Sequence, residues 1–259
     1  MNKNRRYKEV GKCIWCGATE GNTSFETAPH ILPRRLGGTE IGFDVCDNCN
    51  HYFGTAPKGK VGVPSIDHAL KEIFGAFRMF GKNLNSQSYR NYTSSYFSYR
   101  HKERTIKIRN NFNIKAVTIR FKRGLYEIFL QKHHCFTKDG NNPKFDFVRK
   151  FARYGIGNSH VYYAYNNVIL APGEDEMSNP LLHMSDKLID DMNKYGFYNI
   201  WLLGHNFYIE VFPILATRYR NQYLQMQADS TLLNAKGDEA IFEFTDVGQI
   251  DFFMQRFNS

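Results

Sequence analysis

Four cysteines in two CxxC pairs, Cys13-Ile14-Trp15-Cys16 and Cys46-Asp47-Asn48-Cys49, constrain this chain more than any other feature of its sequence. Twenty-nine residues separate the pairs, too few to bury enough apolar surface to hold themselves. Glycines at 17, 37, 38, 42 and 54 mark tight turns through the same stretch. Four thiolates make a closed tetrahedral zinc site, so Cys13, Cys16, Cys46 and Cys49 are expected to hold a structural Zn²⁺ that supplies much of the folding free energy here. A redox role needs only one pair and is the weaker reading. Cys135 stands alone and reads as a core residue.

The rest of the composition sets the class. With 42 % hydrophobic and 15 % aromatic residues among 259, the chain has ample material for a core and is not globally disordered. The basic start, MNKNRRYKEVGKC, is followed by no apolar stretch, and nothing later reads as a membrane span. A cytoplasmic protein with no membrane partner is therefore expected. The formal charge of +9 is uneven: residues 61–135 carry fourteen Lys and Arg against four Asp and Glu, whereas residues 171–259 carry six against thirteen. A basic centre beside an acidic end suits a chain that meets a polyanion on one surface only.

Patterning divides the chain into a zinc unit (1–60), a helix and basic, aromatic linker (61–104), and a larger domain (105–259) for target recognition or dimerisation. Ser65 can cap a helix over 65–80, with Ile66, Leu70, Ile73, Phe74 and Phe77 on one face. The run 105–121 alternates like strands, and the stretches 123–136, 144–155 and 185–196 read as helices. Residues 160–172 and 198–214 read as paired strands, turning at Asn166-Asn167 and at Gly204-His205-Asn206. The fold class is α+β with a mainly antiparallel sheet. Between Tyr89 and Arg123, cations including Arg100, Lys102 and Arg104 alternate with rings including Tyr96, Phe97, Tyr99 and Phe121, a composition suited to phosphates and exposed bases.

Between the knuckles, residues 24–31 read as a strand delivering His30, 33–38 as a turn, 41–45 as a return strand, and 46–50 as a helix start. Metal at both ends would hold His30 and Asn50 at a fixed separation, which an active site needs and a structural site does not. The motifs CIWCG, PHILPRRLGG and VCDNCNHYFG, about a fifth of the chain, resemble the HNH endonuclease family of the ββα-metal superfamily, in the branch whose zinc knuckles bracket the active site, found in phage and bacterial endonucleases.

The resemblance implies phosphodiester hydrolysis, with His30 as general base and Asn50 as a ligand of one catalytic Mg²⁺ or Mn²⁺. Duplex DNA is the implied partner, and a homodimer would let two sites cut two strands. A bacterial or phage origin, with a role in restriction, phage defence or mobile-DNA processing, is also implied. Where family members carry an acidic residue or histidine before the base, this chain has Pro29; Asp44 and His51, ahead of Glu26, are the candidates for the missing metal ligand. The residue that orients the base must be a backbone carbonyl or a side chain such as Asp44. Arg34 and Arg35 are placed to clamp a phosphate. Asp67-His68 and His133-His134 could be ligands, but they fall in expected helices away from the motif and read instead as ordinary surface or partly buried histidines. A non-catalytic zinc-ribbon nucleic-acid binder and an RNA-cleaving toxin on the same module are the alternatives.

Overall fold

The structure is a computed structural model that describes residues 6–81, 94–100, 105–164, 179–230 and 241–250. Its elements run α1 (Asp47–Gly54), α2 (Ile66–Gly81), β1 (Phe97–Arg100), β2 (Thr105–Ile108), α3 (Ile114–Thr137), α4 (Asp146–Arg149), β3 (Val161–Ala164), α5 (Asp186–Tyr195), β4 (Phe197–Leu202), β5 (His205–Glu210), α6 (Pro213–Ser230) and β6 (Ile241–Glu243). A π-helical turn over Lys150–Tyr154 extends α4 and ends at Gly155 in the left-handed region. The fold is α+β, and all strand pairing between these elements is antiparallel. Among the described residues no helix is long and apolar enough to cross a membrane.

The larger domain is built on a four-stranded sheet in the order β4-β5-β3-β6. Side chains alternate across it. Val161, Tyr163, Phe207, Ile209, Tyr198 and Ile200 face the main core, while Tyr162, Ala164, Tyr208 and Phe197 face α6. Against α6 the Phe197 and Tyr223 rings stack at 4.9 Å with planes 1° apart. Both faces are therefore covered, which is why these strands read as nearly unbroken apolar and aromatic runs. The β4–β5 hairpin turns at Leu203-Gly204, both at positive φ (52° and 79°), a two-residue loop whose twist matches its strands. The expected turn at Gly204-His205-Asn206 is one residue late, because His205 and Asn206 are buried strand residues, His205 Nδ1 lying 2.7 Å from the Tyr163 hydroxyl. The turn expected at Asn166-Asn167 lies outside the described residues.

Only residues 105–108 of the stretch expected as strands over 105–121 are strand; from Ile114 the chain is helix. Asn113 caps α3 by accepting from the Ala116 N–H, and Val117, Phe121, Leu125 and Ile128 then recur at helical spacing on the buried side. The β-branched residues that suggested strand are overridden by that cap and that period. The basic, aromatic ribbon β1–β2 turns Tyr96 and Phe97 into the core, and Phe121 is buried in α3, so these three rings are not free to stack on bases.

One continuous core joins the zinc unit to the larger domain. Phe74 of α2, Phe121 of α3 and Phe207 of β5 meet with ring centroids 5.3–6.2 Å apart. The helices α2 and α3 can come this close because position 124 is glycine: a Cβ there would sit 2.5 Å from Leu70 Cγ. The zinc unit then docks on α3 through polar contacts. His134 Nε2 lies 3.0 Å from Asp44 Oδ2, Lys132 Nζ is 2.5 Å from Glu40 Oε1, and Arg123 Nη2 donates to the Tyr52 hydroxyl at 2.5 Å. Asp44, in the left-handed region at φ 56°, also accepts from the N–H groups of Glu9, Val10 and Gly11 at 2.8–3.1 Å.

Replacing Asp44 by Ala would leave the buried His134 ring and three partly buried N–H groups without their acceptor. A loss of about 1–3 kcal/mol is expected in urea unfolding of the full chain, the cost of leaving a buried partner such as the His134 ring unpaired.

Candidate active site

The zinc knuckles set the site's frame. The four Sγ atoms of Cys13, Cys16, Cys46 and Cys49 lie within 4.8 Å of one another, and those of Cys16 and Cys46 are 3.7 Å apart. A zinc tetrahedron with bonds of about 2.3 Å has edges of about 3.8 Å, so the donor set and its spacing suit zinc. Beneath it Trp15 is fully buried, edge-on to Phe53 of α1 at 4.9 Å.

Cys46 is the residue before α1, and Asp47 opens it. The Asp47 carboxylate accepts from the N–H groups of Glu26 and Thr27, and its own N–H donates to the Ser24 carbonyl at 2.9 Å. The segment leading to His30 is thereby pinned to the helix that carries Asn50. The two strands expected around His30 shrink to one bridge, His30 with Ile41, flanked by the bonds Ile31 N–H to Glu40 and Gly42 N–H to Pro29. The turn between them is a single 3₁₀ turn, Arg34–Leu36. Gly38 closes it against the chain: a Cβ there would lie 2.1 Å from the Leu32 carbonyl oxygen. Asp47 and this turn, beside the cysteine cluster, take the place of the longer ladder in holding the segment.

His30 Nδ1 is 3.2 Å from the Ala28 carbonyl. A carbonyl only accepts, so the proton sits on Nδ1 and Nε2 keeps its lone pair. Burial, aided by the positive charge of Arg34, lowers the pKa of His30 against the Ala28 bond, which raises it. The ring is thus neutral and held in one orientation at neutral pH.

His30 and Asn50 line one cleft of about 380 Å³ together with Arg34, Arg35, Ser65, Lys71, Asp67, His68 and Glu127. The structure brings the expected base, metal ligand and arginine pair together. Asp44 and His51 do not line it. The Asp44 carboxylate is fully buried and taken up by three amides and His134, and His51 is exposed on α1 beside Thr55. Glu26 is exposed and absent from the cleft lining. Of the other expected nucleic-acid contacts, Lys102 and Arg104 lie outside the described residues, and Arg100 is placed only as a backbone position pairing with Thr105.

The far wall comes from residues that sequence reasoning set aside or passed over. Ser65 Oγ caps α2 by accepting from the His68 N–H at 3.1 Å, which puts Asp67 and His68 in the first helical turn facing back to the zinc unit. Burial pushes the Asp67 carboxyl up to about 6. Burial, then the neighbouring Asp67, raises Glu127 of α3 well above the usual carboxylate range. Burial, with Lys71 and Arg35, lowers His68 against Glu72, whose carboxylate lies 3.7 Å away. The available signal was a lone acid inside the apolar run RGLYEIFLQ, and an acid two residues after a helix cap.

Residues 13–62 match the family model of the HNH endonucleases. No curated protein and no solved structure gives a significant match to the chain. The family match supports a nuclease of the HNH type and implies a nucleic-acid substrate. It ends before Asp67, so the wall made by α2 and α3 lies outside the matched segment.

Stripping metal from the cysteine cluster is expected to unfold the N-terminal unit first. In a Trp201→Phe background, in which Trp15 is the one remaining tryptophan, chelator should shift emission to the red and added Zn²⁺ should restore it; an unchanged spectrum with the metal removed would show that the unit folds without it.

Proposed function

We propose, from the HNH endonuclease module that residues 13–62 form, that the chain is a metal-dependent endonuclease hydrolysing phosphodiester bonds of DNA with His30 as general base. The observation that carries this reading is the His30 ring, tied at Nδ1 to the Ala28 carbonyl and lining a cleft with Asn50, Arg34 and Arg35. The scissile phosphate sits between the two guanidinium groups, which offset its charge. Nε2 of His30 takes a proton from the water that attacks phosphorus in line. The P–O3′ bond breaks and the departing 3′ oxygen takes a proton from solvent water, leaving a 5′-phosphate and a 3′-hydroxyl. A Mg²⁺ or Mn²⁺ ion, with Asn50 among its ligands, supplies when bound the positive charge that stabilises the leaving oxygen. The cysteine cluster holds Zn²⁺ and takes no part in the chemistry.

Duplex DNA fits the basic 61–135 stretch, and the C-terminal domain is the part available for choosing where to cut or for pairing two copies. Restriction, phage defence or processing of mobile DNA in a bacterial or phage setting is the role such an enzyme serves.

Cleavage of supercoiled plasmid, single-stranded DNA and RNA with Mg²⁺ or Mn²⁺ tests the proposal. His30→Ala is expected to lose roughly 10²–10⁴-fold in rate, the usual worth of a general base, and Asn50→Ala to lose activity with zinc content unchanged. Equal rates for wild type and His30→Ala on every substrate would overturn it, and cutting confined to RNA would move the substrate to the toxin class. The pH profile is a second check. A base must be unprotonated, so the rate falls as pH drops through the His30 pKa. That acid limb is expected below the ordinary histidine value of about 6.5, with a plateau through neutrality.

A further inference from the structure

We infer that Asp67 of α2 and Glu127 of α3 complete, with Asn50, the oxygen-ligand set of the cleft's divalent cation, so that the helical domain supplies ligands the zinc unit lacks. The inference rests on the endonuclease reading only in that it fills the same cleft.

Three observations carry it. Asn50 and Gly54 lie four residues apart on α1, about one turn and 6 Å along one face. At that second position the Asp67 carboxylate approaches closely: a Cβ on Gly54 would be 3.4 Å from Asp67 Oδ2. Across from it Glu127 is 4 % exposed, yet lines the cleft. Its Oε1 accepts from Gln131 Nε2 at 3.2 Å, while its Oε2 has no hydrogen-bond partner. A buried carboxylate oxygen without a donor is costly, and a second carboxylate nearby makes it costlier. Lys71, which lines the same cleft, pairs with Glu72 at 3.0 Å. A divalent ion placed between the two acids would satisfy the free oxygen and neutralise both.

The donor chemistry selects the ion. Two carboxylates and an amide oxygen suit Mg²⁺ or Mn²⁺, whereas zinc prefers the thiolates of the knuckles. Pro29 explains the need. Where a ligand would precede the base there is none, and the side chains proposed to stand in from within the unit, Asp44 and His51, are outside the cleft.

The test is Mn²⁺ binding to the zinc-loaded full chain, read by electron paramagnetic resonance and calorimetry. Wild type is expected to bind one Mn²⁺ beyond the zinc. Asp67→Asn and Glu127→Gln should each weaken that binding about tenfold or more, as should Asn50→Ala, while Asp190→Asn on the exposed face of α5 leaves it unchanged. Both amides keep the shape of the acid, and zinc content with melting in Mn²⁺-free buffer checks that each variant folds. Mn²⁺ affinity equal to wild type in Asp67→Asn and Glu127→Gln would overturn the inference, as would a wild-type chain that binds no Mn²⁺. If His30-dependent cleavage persists while these variants bind Mn²⁺ normally, the ligand assignment fails and the nuclease stands. If Mn²⁺ binds through these acids and nothing is cut, the reverse holds.

Discussion

A single buried carboxylate ties this molecule together. Asp44 accepts from three consecutive backbone N–H groups, from Glu9 to Gly11, and from Nε2 of His134, whose Nδ1 accepts in turn from the Gly140 N–H. Its backbone joins the same network, the carbonyl accepting from Ile14 and the N–H donating to Tyr7. Burial works to raise the Asp44 carboxyl, and these bonds outweigh it and hold it below its usual value. One side chain therefore connects the first segment, the first zinc knuckle and the helix α3. The zinc unit shares the apolar core of the larger domain, and charge-assisted bonds of this kind add direction to that packing.

The docking has a chemical consequence. It brings α2 and α3 up to the face of α1 that carries Asn50, and the cleft is the space left between them. The walls differ in character: the zinc unit contributes His30 and two arginines, and the helices contribute acids whose burial keeps their charge costly. Glu72, one turn after His68, ties α2 to the start of the β1–β2 ribbon by accepting from Ser94 and the Ser95 N–H, so the second wall is braced from behind as well. A cleft assembled from separate elements tied together by polar bonds has its lining side chains held in place from several sides.

Legibility differed by element for physical reasons. The helix α5 was readable because Ser185 caps it and Gly196 ends it in the left-handed region, both local facts. The same is true of the turn that ends α4 at Gly155. The start of α3 was misread because Val, Thr and Ile favour strands on their own, and only Asn113 and the packing of Phe121 against Phe74 and Phe207 decide for helix. In the hairpin, the Gly204-His205-Asn206 stretch looks like a turn by composition, yet Leu203 accepts a positive φ and His205 is buried beside Tyr163.

For the site, the CxxC spacing pointed to the four cysteines, whose Sγ atoms the structure brings together, while His30 and Asn50 were singled out by the motif's resemblance to the HNH family and line one cleft with the arginine pair. Sequence could not say that Asp44 is a structural acceptor rather than a ligand, since that depends on His134, ninety residues away. Nor could it say that Asp67 and Glu127 share the cleft. Their meeting depends on two helices packed through Gly124 against a unit whose orientation is set by buried polar bonds, and such long-range contacts leave no local pattern to read.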